Sequence, residues 1–159
     1  LNTKAGTSTT DARAKGFEDE IKKYPNLKYV GQQYTDNEPA TAASKVTATL
    51  AANPDLIGVF ATNLNTGEGA ATGLRNAGKT GSVNLVGFDA SPNQVKDLKA
   101  GTVQALIAQD PGTIGKQGVE QAVAAIDGKT NKRNIETDLV AITKDDADKN
   151  SKYFYKESC

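Results

Sequence analysis

Histidine, methionine and tryptophan are absent from this chain of 159 residues, and cysteine occurs once. Without His, the usual general base, the Ser-His-Asp and Cys-His arrangements and the commonest metal ligand all drop out. One Cys builds neither a zinc knuckle nor an iron–sulfur site nor an internal disulfide. An excess of either charge is missing too: 19 Lys and Arg stand against 19 Asp and Glu. Nucleic acid, which requires a basic face, is therefore not an expected partner. No apolar run nears the roughly 20 residues that a membrane-spanning helix needs. Neither a metal nor a cofactor is expected. The opening Leu1-Asn2-Thr3-Lys4-Ala5-Gly6 lacks the charged-then-apolar pattern of an export signal. With no Met anywhere, the expectation is a processed or excised piece of a longer protein.

What is present alternates between two periods. Ala14, Phe17, Ile21 and Tyr24 mark one face of a helix opening near Thr10. Pro25-Asn26 ends it, and Leu27 to Gln33 reads as a strand. Pro39 suits the first turn of a helix bearing Ala43, Val46 and Leu50, which Asn53-Pro54 closes. Leu56 to Phe60 is a buried-strand run, and Ala70, Leu74 and Ala77 form a third helix face capped by Gly78. Val83 to Val86 follows as a strand. Ser91-Pro92 supplies an N-cap and a first-turn Pro for a short helix ending at Gly101. Val103 to Ala108 is the next strand, and Asp110-Pro111 repeats the device before a helix bearing Val119, Val123 and Ile126. Leu139 to Ile142 forms one more strand, ahead of a charged, weakly patterned tail.

Strand–helix alternation of this kind predicts an α/β fold, a doubly wound parallel sheet in three layers with helices on both faces. Ligands of open parallel sheets bind beyond the carboxyl ends of the strands. The residues just past those ends are Asp36 and Asn37, then Asn63, then Asp89, then Gln109 and Asp110. Any one of them is also an ordinary loop residue, and Asp110 reads mainly as a helix cap. Together they suit a polyhydroxyl ligand, because carboxylates and carboxamides bind neighbouring hydroxyls with paired hydrogen bonds. Tyr34 is a candidate to stack on a sugar face, with a core or lid role equally open. Gly67-Glu68-Gly69-Ala70-Ala71-Thr72-Gly73 is one residue off the dinucleotide-binding fingerprint, and close helix–sheet packing is the better account of its glycines. With neither a phosphate loop nor clustered acids, the chain is not read as an enzyme.

The segment Thr7 to Phe17, with Arg13, Gly16 and Phe17 in the order R-x-x-G-F, resembles the opening of the second lobe of type I periplasmic binding proteins. The likeness continues through Asn53 to Asn63, through Val86-Gly87-Phe88-Asp89-Ala90-Ser91-Pro92, and through Ala108-Gln109-Asp110-Pro111 to Ile114-Gly115. From about Thr7 to Ile142, order and spacing resemble the ribose-binding branch, the sugar-binding subunits of ABC importers. The resemblance implies an extracytoplasmic protein, periplasmic or lipid-anchored, that captures a monosaccharide or polyol and delivers it to the importer's membrane subunits. It places Asn63, Asp89 and Gln109 among hydroxyl-binding side chains. Two positions depart from the pattern. Asp11 stands where the branch has a ligand-contacting Arg, with Arg13 matching a second Arg of that motif. Asn37 stands where an aromatic often stacks on the sugar. Arg13 also has a structural reading, as a helix residue paired with an acid.

The resemblance further implies that residues 1–109 form the second ligand-binding lobe. Residues 110–138 would cross to an absent first lobe, and 139–159 would return as a strand and tail. The 112–127 helix would then pack on that first lobe or on another chain. Cys159 is left either to pair with a Cys elsewhere or to stay a free thiol. The alternatives are the effector-binding core of a lac-repressor-type regulator and, below it, a nucleotide-dependent enzyme.

Overall fold

The computed structural model describes residues 1–156. Helix α1 (Ser8–Ile21) and helix α2 (Pro39–Ala52) precede a strand–helix series. That series is β1 (Gly58–Phe60), α3 (Leu64–Asn76), β2 (Asn84–Phe88), α4 (Pro92–Ala100), β3 (Ala105–Gln109), α5 (Pro111–Ile126) and β4 (Leu139–Thr143), followed by 3-10 turns at Lys144–Asp146 and Asp148–Tyr153. The cap-plus-proline signals fall where expected. Ser91 closes a capping box with Gln94, Asp110 accepts from the Thr113 amide, and Gly101 takes φ 80° beyond α4.

The sheet runs in the order β1-β2-β3-β4, parallel from β1 to β3. β4 pairs antiparallel with β3, so the expectation of an all-parallel sheet is corrected to a mixed one. The direction of an edge strand follows from the route of the chain after α5, which strand composition does not encode. Leu27 to Gln33 is also corrected: it forms no strand. A strand exists only where a neighbour supplies its ladder. Here Asn2 alone does so, donating its amide to Gln33 O at 2.9 Å and accepting from the Thr35 amide at 3.0 Å. The result is a single bridge between Asn2 and Tyr34.

Register sorts the side chains into two unequal faces. Val59, Leu85, Leu106 and Ile142 share one face by pairing and by the two-residue period. There they meet Ala70, Ala71 and Leu74 of α3, Val95 and Leu98 of α4, and Ala147 and Tyr153 of the tail. The other face carries Phe60, Val86, Phe88 and Ile107 and meets α1, where the Phe17 ring stacks on Phe60 with centroids 5.2 Å apart. In α1 only Thr10 is buried, so the face predicted from Ala14, Phe17, Ile21 and Tyr24 is only partly covered. In α5 no residue is buried, and Val119, Val123 and Ile126 are 66%, 50% and 84% exposed.

Glycines bring α2 and α3 unusually close. A methyl group on Gly69 would lie 2.3 Å from Pro39 O and 2.6 Å from Ala42 Cβ. One on Gly73 would lie 2.7 Å from Ala43 O. Two of the three glycines of the fingerprint-like segment therefore serve helix-to-helix contact, where helix–sheet packing was expected. Only Gly67 faces the sheet, its added methyl falling 2.9 Å from Gln94 Nε2 and 3.9 Å from Gly87 Cα. Gly69→Ala is expected to lower unfolding free energy by about 1–3 kcal/mol through overpacking, outweighing a helix-propensity gain of about 1 kcal/mol. Gly16→Ala, on the exposed side of α1 with open space around it, should instead stabilise by up to about 1 kcal/mol. Urea unfolding of the two variants measures both, and equal shifts would contradict the close-contact account.

Candidate functional site

The parallel strands end at one rim, and the predicted residues fall there in two groups. Asp89 follows β2 with its backbone at φ 75°, in the left-handed region that non-glycine residues rarely occupy. The surrounding turn holds it in place. The Asp89 amide donates to Ile107 O at 2.9 Å, Gln94 Nε2 donates to Phe88 O at 2.9 Å, and the Ser91 amide donates to Gln94 Oε1 at 3.0 Å. Ser91 in turn donates its hydroxyl to Glu68 Oε1 at 2.7 Å, tying the turn to α3.

Asp89 is 8% exposed, and its Oδ1 accepts two hydrogen bonds, from Gln109 Nε2 and from the Tyr155 hydroxyl, each at 2.7 Å. Among the described residues nothing donates to its Oδ2. Arg13 reaches the same rim from α1, its guanidinium 3.5 Å above the Phe88 ring centroid and its Nη1 donating to Thr62 O at 3.1 Å. The site thus carries a cation near the fixed Asp89 carboxylate. Burial lowers the Arg13 pKa, while the charges of Asp89 and Tyr155 act the other way. Burial, then the hydrogen bond and charge of Asp89, push the Tyr155 phenol well above its ordinary value, so it stays a proton donor.

Asn63 and Asn37 form the second group. Asn63 caps α3: its Oδ1 accepts from the Thr66 amide at 3.0 Å, and Thr66 Oγ1 accepts from the Asn63 amide at 3.1 Å. Its Nδ2 donates to Asn37 Oδ1 at 2.5 Å. Asp36 and Asn37 both take positive φ, 54° and 64°, in the turn leading to α2. With Thr3, Lys4, Thr7 and Thr10 they line a shallow recess of about 380 Å³. Thr62, which accepts from Arg13, precedes Asn63 in the chain and joins the two groups along the rim. A larger groove, about 640 Å³, runs between the outer sides of α2 and α3. Its Ala, Ser, Thr and Asn lining carries no charge and none of the strand-end residues.

Asp11 has a different place. Its Oδ1 accepts from Asn2 Nδ2 and its Oδ2 from the Gly6 amide, both at 2.8 Å, so it fastens the turn ahead of α1. Tyr34 is exposed, does not line the recess, and is held by the Asn2 bridge. Cys159 lies outside the described residues. Tyr155 was not foreseen: the aromatic run Tyr153-Phe154-Tyr155 within a charged tail was the signal that could have found it. Tyr153 is buried in the core, Phe154 packs against it, and the Tyr155 amide donates to Ala90 O at 3.0 Å, which brings the tail to the rim. Among the described residues no group of three or more His, Cys, Asp or Glu is arranged to hold a metal. The rim contains hydrogen-bond acceptors and donors at fixed positions. Such an arrangement has the donors and acceptors that hydrogen bonding to hydroxyls requires.

The chain resembles known proteins along most of its length. Residues 1–130 match the family described as periplasmic binding protein domain. The D-allose-binding periplasmic protein of Escherichia coli is 35% identical over 77% of this chain and 39% of its own length. The ribose import binding protein of Salmonella typhimurium is 34% identical over 88% of the chain and 47% of its own length. An ABC transporter solute-binding protein from Agrobacterium vitis, solved with α-D-tagatopyranose bound, superposes with a TM-score of 0.95 at 39% identity, covering 98% of this chain and 53% of that one. The chain therefore spans about half the length of the proteins it resembles. Because Asn63 is both a rim residue and the cap of α3, Asn63→Ala is expected to cost about 1 kcal/mol of stability before any ligand is added. Chemical denaturation of the ligand-free protein tests this, and an unchanged midpoint would remove the capping role.

Proposed function

The chain belongs to the periplasmic binding protein domain family, and from that premise we propose that it is the second lobe of an extracytoplasmic solute-binding protein for a monosaccharide or polyol. The observation that carries the reading is the convergence of Asp89, Gln109 and Arg13 on one rim, with one carboxylate oxygen held and the other open. Polar groups fixed in advance discriminate strongly, because a ligand lacking the matching hydroxyl leaves them unpaired. Asn63 and Asn37 extend the same surface with carboxamides.

Sugar-binding relatives that work with ABC importers support delivery of the captured sugar to importer membrane subunits, at the periplasmic or outer cell surface, without chemical change. In this reading residues 1–109 form one wall of the cleft, 110–138 cross to the other lobe, and residues from 139 onward return. The exposed apolar positions of α5 support the crossing, since a contiguous uncovered face of that kind marks a contact surface. Asp11 fastens the turn ahead of α1 with one bond to each oxygen, and this reading does not depend on its touching the ligand.

A thermal-shift screen of the protein containing both lobes, against D-ribose, D-allose, D-tagatose, D-fucose and common polyols, tests the reading. A sugar at a hundred times its dissociation constant should add about 2.7 kcal/mol of stability. Asp89→Ala should then weaken the best sugar at least tenfold, as loss of a charged hydrogen-bond partner costs roughly 1.5–3 kcal/mol. Calorimetric titration measures this. No shift with any sugar, or equal affinities for wild type and Asp89→Ala, would defeat the assignment.

A further inference from the structure

Resting on the sugar-site reading above, we propose that Tyr155 is a specificity-determining positioning residue. With Gln109 it fills Oδ1 of Asp89, so that the sugar meets Oδ2 alone and Asp89 reads a single hydroxyl. An ionised carboxylate offers about four acceptor positions, two on each oxygen. Two donors at 2.7 Å take both positions on Oδ1. The carboxylate plane is then fixed, and Asp89 is unable to rotate to grip two adjacent hydroxyls with both oxygens. A one-hydroxyl acceptor discriminates by position around the sugar ring, whereas a two-oxygen grip accepts any suitably spaced pair.

Tyr155 is built for this task from both ends. Its amide is tied to Ala90 O, one residue beyond Asp89, and the two residues before it are anchored on the core. The phenol keeps its proton under the influence of burial and Asp89, so it remains a donor to the carboxylate. A phenylalanine at this position would keep the ring and its packing and remove only the hydroxyl.

The test uses the two-lobed protein, the one of D-ribose, D-allose, D-tagatose and D-fucose that gives the largest thermal shift, and the monodeoxy derivatives of that sugar. Asp89→Ala first identifies the hydroxyl that Asp89 reads, as the one whose removal from the sugar makes the substitution harmless. Tyr155→Phe is expected to weaken the parent sugar about tenfold, in line with loss of a hydrogen bond to a charged group. It should leave affinity for that one deoxysugar nearly unchanged, and add nothing further on the Asp89→Ala background. Affinity ratios between sugars measured on one protein cancel any loss of stability in the variant. Equal weakening across all the deoxysugars, a loss additive with Asp89→Ala, or no loss would overturn the proposal while leaving the sugar site standing. Failure of the unsubstituted protein to bind any of the four sugars would overturn both.

Discussion

A carboxylate at the end of a buried strand has to be either solvated or held, and at Asp89 the fold holds it. Its backbone is bent into the left-handed region, which an L-residue occupies only when its surroundings compel it. The Ile107 carbonyl, the Gln94 side chain and the Ser91 capping box do the compelling. Strain of this kind at a strand end aims a side chain where an ordinary turn would not. Most of the molecule can be understood as support for that geometry. α4 starts where it does because Ser91 and Pro92 end the Asp89 turn, and β3 delivers both the Ile107 carbonyl and the Gln109 carboxamide.

Support comes from the packing as well. Close contact of α2 and α3 through Gly69 and Gly73 sets the start of α3, and with it Asn63 and the neighbouring Asn37 turn. Apart from Asp89 Oδ2, the polar groups around Asp89 are held by one another, and among the described residues no fully buried side-chain nitrogen or oxygen lacks a partner. A cluster held in this way is rigid before a ligand arrives, and little ordering then opposes binding. α5 obeys a different rule. Its N-cap at Asp110 and the terminal turn at Gly128 are complete, so its helical form is specified locally although none of its residues is buried.

Local signals were legible in the sequence, and signals that depend on a distant partner were not. Pro39, Ser91-Pro92 and Asp110-Pro111 announce helix starts because cap and proline act within one turn. The rim positions of Asn63, Asp89 and Gln109 could be read because each lies at or just past the end of a strand and the strand order is local. Leu27 to Gln33 has strand composition, yet only Asn2 reaches its far end to form a ladder. The reversed direction of β4 leaves no trace in Leu139 to Ile142 themselves. Asp11 also has a local role, one oxygen accepting from Asn2 and the other from the Gly6 amide, and neither partner is implied by helical spacing. Tyr155 meets Asp89 across 66 residues of chain, beyond the range of any periodicity.

The two faces of the sheet are unequal, and the consequence is kinetic. Amide hydrogens behind the α3–α4 face lie under most of the apolar core, whereas α1 is held on the opposite side by the Phe17–Phe60 stack, the Arg13 contacts with Phe88 and Thr62, and the bonds of Thr10 and Asp11 to the segment ahead of the helix. Few buried contacts mean a small free energy for local opening, so α1 is expected to open more readily than the helices of the α3–α4 face. Arg13 rides on α1. The cation of the rim is thus present in proportion to the closed population of a single helix. A solute that engaged the guanidinium would put part of its binding free energy into closing that helix, and hydrogen exchange along α1 would slow in step with occupancy.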